Sequence, residues 1–515
     1  MGYAPGLPRT WDEVQLSRMG ETVGVDADLA RACARAPSAV ALVEGGGSAR
    51  QALTFAELDE RASRVAGHLR ELGVRPGDRV LLFARKSLAT VAALYGAWRA
   101  GAVVVPASPE ARARQLDHLI AHSDATLAIV EPALVARLDR PLEPVRTVDV
   151  AILGEGAPRL DREERTALAA LLYTSGSTGL PKGIVITHEN LLAGARIVSR
   201  YLEIEPNDRL LSVLPFHFDY GLNQLLTTVR QGATLVLQKS THPGHVISAL
   251  HEHAITGLGG VPPLWAQLFA DGSPLLREPP ASLRYLTNSG GAFPVELLRR
   301  ARTALPRTDV FLMYGLSEAF RSTYLPPDQL DRRPTSMGRA IPETEILVLR
   351  DDGTRCDVDE PGELVHRGPT VAAGYWKDPE TTARVFRPDP DDPTRTVVHS
   401  GDQVRHDAEG FLFFVGRRDQ RLKSYGHRVS PEEVERALQD SPLVALAVVG
   451  GEPDEVAGDA IVAHVVPSGP DVTVDAIAAF ARETMPRYLQ PKRVVLHERF
   501  PLTSSGKVDR KQVLA

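Results

Sequence analysis

The sequence is poor in cysteine and has no long uninterrupted apolar run. Among 515 residues there are only two cysteines, Cys33 and Cys356, which lie far apart and have no metal-ligand spacing. This count excludes a disulfide framework and favours a reducing compartment, for which the cytoplasm is the simplest expectation. The most apolar stretch, Leu88 to Ala107, is interrupted by Arg99 and Gly101. We therefore expect a buried helix and strand there, and no membrane span.

An excess of positive charge is also lacking. The chain has 59 basic and 65 acidic residues, a formal net charge of -6. This balance argues against general attraction to nucleic acid or to an anionic membrane, so we expect neither as a partner. The first residues, MGYAPGLPRTWDEVQ, reach proline and acidic residues before any apolar run, and we expect no export signal in them.

Short β-branched segments alternate with amphipathic segments along most of the chain. RVLLFA, AVVVPA and ATLAIVE are separated by stretches with helical periodicity, a pattern typical of βαβ units and parallel sheets. The pattern changes after Asp419, where about a hundred residues contain their own strands and a helix near Val474 to Thr484. We predict an α/β fold with a large domain of layered βαβ subdomains at residues 1–418 and a small α+β domain at residues 419–515.

The strongest motif is LLYTSGSTGLPKGIVITH at residues 171–188. Its glycines allow close approach of a ligand to the backbone, and hydroxyl groups, amides and Lys182 supply donors and charge, which favours phosphate binding. A Walker A loop is excluded because its spacing is absent and proline precedes the lysine. A flexible linker is the alternative, which the apolar runs on both sides disfavour. The predicted phosphate-binding residues are Thr174, Ser175, Gly176, Ser177, Thr178, Gly179 and Lys182.

The segment TSGSTGLPKG resembles the phosphate loop of the class I adenylate-forming superfamily, which includes acyl-CoA synthetases, nonribosomal peptide adenylation domains and luciferases. Further similar segments follow in the family's order: SGGAFP at 289–294, MYGLSEAF at 313–320, GELVHRGPTVAAGYW at 362–376, SGDQVRHDAEGFLFFVGRRD at 400–419 and PLTSSGKVDR at 501–510. The resemblance covers the whole chain. It implies an AMP-forming ligase that uses ATP and Mg²⁺ to convert a carboxylic acid to an acyl-adenylate and then transfers the acyl group to a thiol.

The resemblance implies roles for residues around the nucleotide. Glu318 inherits the role of magnesium ligand, which suits a hard carboxylate, with Ser317 on the phosphate side. Asp402 resembles the acid that binds both ribose hydroxyls, joined by Arg417; a surface ion pair is the alternative. The residues expected to flank adenine are Gly290, Gly291 and Tyr314, although Tyr314 could instead be a core aromatic residue. Gly315 is also expected to bind the nucleotide.

The resemblance also implies a mobile C-terminal lid. Lys507 corresponds to the lysine that bridges the reacting carboxylate and the α-phosphate, where a cation between two anions lowers the barrier. Asp419 corresponds to the hinge about which family members rotate between the two half-reactions. Lys423 and Gly426 would lie on the face that the small domain presents for the thiol step.

The substrate class depends most on Asp219, which follows Phe218 in LPFHFDYGLNQLL. Amino-acid-activating members of the family carry an acid there that pairs with the α-ammonium group of the substrate. A buried carboxylate is costly unless it is paired, which favours an ammonium-bearing acid. Internal donors such as His217 or Asn223 are the alternative partners. The predicted substrate-binding residues are His217, Phe218, Asp219, Tyr220, Asn223 and Asn288.

Two segments bear on the thiol acceptor. FDYGLNQL and YGLSEAFRSTYLPP look like AMP-forming ligases found with exosortase A systems, which favours transfer to the phosphopantetheine of a carrier protein supplied in trans. An acyl-CoA synthetase that transfers a non-amino acid to coenzyme A is the alternative. A non-catalytic nucleotide-binding relative is a third, which the intact Lys507, Glu318 and Asp402 disfavour.

Overall fold

The structure is a computed structural model and describes residues 23–45, 50–142, 144–161, 164–174, 181–417, 422–425, 427–454 and 457–515. The side chains of residues 423 and 428 are outside this description. The first elements in chain order are α1 (Asp26–Arg35), β1 (Val40–Glu44), β2 (Gln51–Thr54), α2 (Phe55–Glu71), β3 (Arg79–Phe83), α3 (Leu88–Arg99), β4 (Val103–Pro106), α4 (Ala113–Ser123), β5 (Ala125–Val130), α5 (Pro132–Val135), β6 (Arg146–Asp149), β7 (Leu168–Thr174), β8 (Lys182–Thr187), α6 (His188–Tyr201), β9 (Arg209–Ser212), α7 (Asp219–Gln231) and β10 (Thr234–Leu237).

The remaining part of the chain continues this alternation and then becomes mainly antiparallel. Its elements are α8 (Pro243–Glu252), β11 (Gly257–Gly260), α9 (Pro262–Leu268), α10 (Pro274–Arg277), β12 (Tyr285–Asn288), α11 (Val295–Ala304), β13 (Asp309–Tyr314), β14 (Thr323–Leu325), β15 (Arg339–Ala340), β16 (Glu345–Leu349), β17 (Gly362–Arg367), β18 (Gly374–Tyr375), α12 (Pro379–Val385), β19 (Phe386–Pro388), β20 (Thr396–His406), β21 (Leu412–Arg417), β22 (Leu422–Ser424), β23 (His427–Val429), α13 (Pro431–Gln439), β24 (Val444–Asp454), β25 (Gly458–Pro467), α14 (Val474–Thr484), β26 (Arg493–Leu496) and α15 (Arg510–Val513).

The chain forms two compact units. Unit 1 comprises the chain up to Ser240 together with Leu316–Arg321 and Gly368–Pro388. Unit 2 comprises Thr241–Gly315, Ser322–Arg367 and Asp389–Ala515. Each unit is therefore built from segments that are distant in sequence.

Unit 1 contains a seven-stranded sheet in the order β18-β8-β7-β4-β3-β5-β6. The pairs among β7, β4, β3, β5 and β6 are parallel, whereas β8 is antiparallel to both β7 and β18. Apolar side chains of these strands form a buried cluster with those of α4. A second set, β9-β10-β1-β2, also belongs to this unit. The parallel strands connected by helices confirm the predicted α/β class.

Helix starts in unit 1 follow ordinary capping chemistry. The Thr54 hydroxyl accepts the amide of Glu57 at the start of α2, and the Glu57 carboxylate accepts the amide of Thr54 in return. Thr187 and Asn190 form the same reciprocal pair where β8 passes into α6. Each arrangement satisfies backbone donors that a helix terminus otherwise leaves unpaired. Because β8 ends at Thr187 and α6 begins at His188, the strand passes into the helix without an intervening loop.

Unit 2 contains three strand systems. The first is β15-β14-β13-β12-β11, and the second is the antiparallel series β16, β17, β20 and β21. The third is a sheet of β23-β22-β25-β24 in which β26 also pairs with β25. This last sheet packs with α13 and α14 around its own apolar core.

The fold therefore has a large N-terminal domain and a small C-terminal α+β domain, as predicted. The helix expected near Val474 to Thr484 is present with those bounds. Asp419, the predicted boundary, lies outside the described residues, and the boundary stays a prediction. In the described part of the chain, no helix is both long and apolar enough to cross a membrane.

Candidate functional site

The phosphate-loop motif is bordered by two antiparallel strands of unit 1. Tyr173 of β7 lies opposite Gly183 of β8, and Thr174 lies opposite Lys182. Both strands are mostly buried, so the two ends of the motif are fixed in the sheet. The predicted loop residues Ser175, Gly176, Ser177, Thr178 and Gly179 lie outside the described residues.

Lys182 is oriented by two side chains at the start of α12. Its Nζ donates to Asp378 Oδ2 at 2.8 Å and to Thr381 Oγ1 at 2.7 Å. Asp378 also caps α12 by accepting the backbone amide of Thr381. Although burial opposes the shift, the hydrogen bond from Lys182 and those from Thr381 lower the pKa of Asp378 to about 2. Lys182 is thus oriented by an ionised carboxylate.

Glu318 lies in the same unit and contacts Tyr375. The hydroxyl of Tyr375 donates to Glu318 Oε1 at 2.6 Å, and the backbone amide of Ala372 donates to the Glu318 carbonyl at 2.9 Å. Burial, and then the neighbouring Glu318 charge, raise the pKa of Tyr375. Lys182 Nζ lies 5.8 Å from the centre of the Tyr375 ring. Tyr375 therefore contacts both the predicted magnesium ligand and the predicted phosphate-binding lysine.

Tyr375, Asp378 and Thr381 are not among the site residues predicted from the sequence. The first lies in the family segment GELVHRGPTVAAGYW, and the other two follow it closely. An aspartate directly before a proline is a helix N-cap signal, so Asp378 could have been found as a cap but not as a partner of Lys182.

Asp219 begins α7 and is 5% exposed. Its Oδ1 accepts the backbone amide of Tyr220 at 2.8 Å, and no ion pair of the described residues involves its carboxylate. In the described part of the chain, neither His217 nor Asn223, the internal partners considered from the sequence, is hydrogen-bonded to it. The rings of Phe218 and Tyr220 meet edge to face with centroids 6.0 Å apart.

The segment before α7 is held by Lys86, which sequence reasoning did not assign. Lys86 Nζ donates to the carbonyl oxygens of Ser212 and Leu214 at 2.5 and 3.0 Å. Burial lowers the pKa of Lys86 to about 7. Burial, and then the Lys86 charge, lower the pKa of His217 to about 4, so this imidazole is neutral near pH 7.

Asn288 and the glycines that follow β12 belong to unit 2. Asn288 Oδ1 accepts the indole N–H of Trp265 at 3.0 Å, and its Nδ2 donates to the carbonyl oxygen of Gly291 at 2.9 Å. Both ends of this amide are therefore engaged within the protein. The side chain orients the turn that contains Gly290 and Gly291, while its predicted contact with substrate stays a prediction.

Lys507 lies against Gly290, also within unit 2. A Cβ atom on Gly290 would lie 2.6 Å from Lys507 Cε and 3.4 Å from its Nζ. The lysine is presented by a tight turn, in which the Thr503 amide donates to the Lys507 carbonyl at 2.7 Å and the Gly506 amide to the Thr503 carbonyl at 2.9 Å. The structure thus brings the predicted catalytic lysine beside the predicted adenine-flanking segment, 217 residues earlier in the sequence (507 minus 290).

Gly290→Ala should therefore reduce adenylation. Gly290 has φ 80°, where a side chain costs about 1–3 kcal/mol, and the added methyl group would displace Lys507. A displacement of about 1 Å at a catalytic group can lower the rate about 10²-fold, which we expect in acid-dependent pyrophosphate exchange. Gly353→Ala is the matched control, since Gly353 has φ 85° but no atom within 4 Å of the added Cβ. Equal activity of the two variants would contradict the placement of Lys507.

Tyr314, Asp402 and Arg417 form a second group in unit 2. The Tyr314 hydroxyl donates to Asp402 Oδ2, and Arg417 Nη1 lies 3.5 Å from Asp402 Oδ1. Asp402 and Arg417 face each other across β20 and β21. Burial, and then the Asp402 carboxylate, raise the pKa of Tyr314. The structure brings together the predicted ribose-binding pair and the predicted adenine-flanking tyrosine.

Some of the other predicted residues are described and some are not. Gly315 and Ser317 lie in the segment that follows β13. The backbone of Lys423 pairs with that of Arg428 between β22 and β23. Asp419 and Gly426 lie outside the described residues, so the hinge and the thiol-step face stay predictions.

The described residues suit ATP and Mg²⁺. Glu318 supplies a single carboxylate, and the described residues contain no cluster of three or more histidine, cysteine, aspartate or glutamate side chains that could hold a metal ion. Mg²⁺ usually binds one or two carboxylates together with substrate phosphates and water, which a single glutamate permits. Lys182 in unit 1 and Arg417 in unit 2 are cationic donors within the nucleotide motifs.

Two family models match the chain. The model described as AMP-binding enzyme matches residues 29–376, and the model of the AMP-binding enzyme C-terminal domain matches residues 433–507.

Curated relatives differ in length. A linear gramicidin synthase from Brevibacillus parabrevis is 32% identical over 89% of this chain, which spans only 9% of that protein. Feruloyl-CoA synthase from an Amycolatopsis species is 34% identical over 93% of this chain and 96% of its own length. L-proline--[L-prolyl-carrier protein] ligase from Pseudomonas fluorescens is 31% identical over 93% of this chain and 96% of its own.

Solved structures are also similar. The o-succinylbenzoate CoA synthetase MenE from Bacillus subtilis, in complex with its acyl-adenylate intermediate, has a TM-score of 0.82 at 27% identity and covers 95% of this chain and 98% of its own. The same enzyme has been solved in complex with ATP and magnesium, with a TM-score of 0.81 at 27% identity over 95% and 99% of the two chains. Since a family model matches more than half of its length and the fold agrees, the chain belongs to the AMP-binding enzymes of the class I adenylate-forming superfamily.

Proposed function

We propose that this protein activates an amino acid as its aminoacyl-adenylate and transfers the aminoacyl group to the phosphopantetheine thiol of a carrier protein. The proposal rests on family membership for the chemistry and on Asp219 for the substrate class. Relatives whose names state a carrier-protein acceptor and a coenzyme A acceptor are about equally similar, so similarity alone does not select the acceptor.

The Asp219 carboxylate is the observation that favours an amino acid. The helix dipole stabilises this carboxylate, in the first turn of α7, by up to about 2 kcal/mol. Burying a carboxylate costs several kcal/mol, which the dipole and one backbone amide do not offset. A substrate ammonium group would supply the missing opposite charge.

In the first half-reaction, a carboxylate oxygen of the substrate attacks the α-phosphorus of ATP. A P–O bond forms, the bond to the β-phosphate oxygen breaks, and pyrophosphate leaves. Lys507 would neutralise charge between the two reacting anions, and Lys182 would bind the phosphates. Glu318 would hold Mg²⁺, which supplies charge neutralisation on the phosphate oxygens. Asp402 and Arg417 would position the ribose.

In the second half-reaction, the thiolate sulfur attacks the acyl carbonyl carbon. The C–S bond forms, the C–O bond to the phosphate breaks, and AMP leaves with the electron pair. No redox partner is needed, and the proton of the thiol passes to solvent or buffer.

The proposal is tested by pyrophosphate exchange over the proteinogenic amino acids and a set of acids without an amine. We expect the best substrate to carry an α-amine, and we expect thioester formation on a phosphopantetheinylated carrier protein to exceed that on coenzyme A. A preference for amine-free acids together with efficient transfer to coenzyme A would favour the acyl-CoA synthetase alternative.

Glu318→Gln should raise the magnesium concentration needed for half-maximal exchange by roughly tenfold or more, because the substitution removes a carboxylate ligand. Titration of exchange activity with MgCl₂ measures this. Glu483→Gln removes the same charge from an exposed position on α14 and serves as the control. An unchanged magnesium requirement in Glu318→Gln would show that the ligand lies elsewhere.

A further inference from the structure

Arg321 is a buried cation that has no role in the reaction proposed above. The residue is 2% exposed, and it ends the segment of unit 1 that contains Glu318. Within the described structure its Nε and Nη2 have no hydrogen-bond partner, and no ion pair of the described residues involves its guanidinium group. A guanidinium cannot lose its proton in a protein, so burial does not neutralise this charge.

The backbone around Arg321 is tightly constrained. Phe320 has φ 54°, and the Arg321 amide donates to the carbonyl of Ala319 at 2.5 Å. The Thr370 hydroxyl donates to the Arg321 carbonyl at 3.2 Å. A Cβ atom on Gly194 would lie 2.5 Å from Phe320 Cδ1, so this glycine makes room for the turn. The positive φ of Phe320 is strained for a residue with a side chain, and such strain tends to occur at functional sites.

The internal contacts of Arg321 do not balance the cost of burying it. Its guanidinium carbon lies 4.6 Å from the centre of the Tyr220 ring and 6.0 Å from that of Phe320. A desolvated cation–π contact offsets only part of the free energy lost when an unpaired ion is buried. An anion is therefore missing from its described surroundings.

The neighbours of Arg321 point to a ligand that carries both signs of charge. Tyr220, on which it stacks, directly follows Asp219, whose carboxylate pairs with no cation of the described chain. Asn223 lies one turn further along α7, on the same face as Asp219, and its Nδ2 also has no hydrogen-bond partner in the described structure. The start of α7 thus combines an acid without a described cation and donors without a described acceptor.

We propose that Arg321 is a specificity-determining residue that binds an anionic group of the acid substrate, in addition to the carboxylate that is activated. This inference rests on the proposed function, in which Asp219 binds the α-ammonium group. Together the two residues define the substrate class as an acidic amino acid, with a second carboxylate or an equivalent anion on its side chain.

The test compares isosteric substrate pairs in wild-type enzyme by pyrophosphate exchange: aspartate with asparagine, and glutamate with glutamine. We expect the kcat/KM for the preferred acidic amino acid to exceed that for its amide by about 10²-fold or more, since the amide leaves the guanidinium unpaired. This comparison requires no variant. A neutral amino acid as the best substrate would overturn the inference and leave the proposed function standing.

Variants then identify the residue responsible. Arg321→Met should lower kcat/KM for the acidic amino acid and reduce the acid-to-amide ratio to within about tenfold, whereas Arg321→Lys should retain more of the ratio because the charge remains. Circular dichroism and nucleotide binding establish that each variant is folded. A folded Arg321→Met that keeps the wild-type ratio would overturn the role of Arg321. Exchange that is absent in wild-type enzyme with every acid would contradict the proposed function itself, and the inference with it.

Discussion

Lys507→Ala should lower acid-dependent pyrophosphate exchange about 10²–10³-fold, the scale of losing one preorganised charge contact in a transition state. The activated carboxylate and the α-phosphate are both anionic, and a unit charge about 4 Å away is worth about 4 kcal/mol at an effective dielectric near 20. ATP affinity should change little, because Lys182, Asp402 and Arg417 would still contact the nucleotide. Pyrophosphate exchange measures the effect on the adenylation rate, and nucleotide titration measures the effect on ATP affinity.

Lys511→Ala is the matched control for this experiment. Lys511 lies four residues further along the C-terminal segment, is exposed, and carries the same charge. Its removal should leave exchange within about twofold of wild type, as expected for an exposed charge. Comparable losses in the two variants would indicate a general electrostatic effect of the segment. Near-wild-type exchange in Lys507→Ala would refute the catalytic assignment.

Asp219→Asn should lower kcat/KM for the preferred amino acid about 10²–10³-fold. Removing one partner of a buried ion pair costs about 3–5 kcal/mol, and here the unpaired group would be the substrate ammonium. Activation of the corresponding des-amino acid, which lacks that ammonium group, should change less than about tenfold. Pyrophosphate exchange with the two acids measures the change in preference directly.

Asp208→Asn controls for loss of a buried carboxylate in the same unit. Asp208 is also 5% exposed, and its carboxylate accepts the amide of Glu205 at 2.8 Å. Its substitution should affect amine-bearing and amine-free acids alike, through stability alone. The same uniform loss in Asp219→Asn would identify Asp219 as a structural acid, and the acyl-CoA synthetase alternative would then be favoured.

Residues near one another in sequence were the most predictable. The apolar run that ends at Tyr173 and the β-rich run that follows the loop pair with each other as β7 and β8, and these strands also include Thr174 and Lys182, which were predicted as loop residues. The helix predicted near Val474 to Thr484 is present with those bounds. These features depend on local hydrophobic patterns and capping groups, which a single sequence displays.

Partners from distant segments were not predictable. Lys182 bonds to Asp378, 196 residues later, and Glu318 bonds to Tyr375, 57 residues later. Nothing in the local pattern at either partner encodes these pairs, because they depend on how separate segments pack. The contact of Lys507 with Gly290 is of the same kind, although both residues had been selected individually.

From the sequence by itself, the resemblance of short segments to a known family implied the family and the residues expected to bind nucleotide, and hydrophobic periodicity indicated the α/β class. Both kinds of signal are local properties of the chain. Only the tertiary structure decided which charged groups are paired. It showed Lys182 bonded to Asp378, and it showed Asp219 without a cationic partner and Arg321 buried against Tyr220 without an anion, both among the described residues. Burial and charge pairing arise from contacts between segments far apart in the chain, so they depend on packing that no single segment encodes.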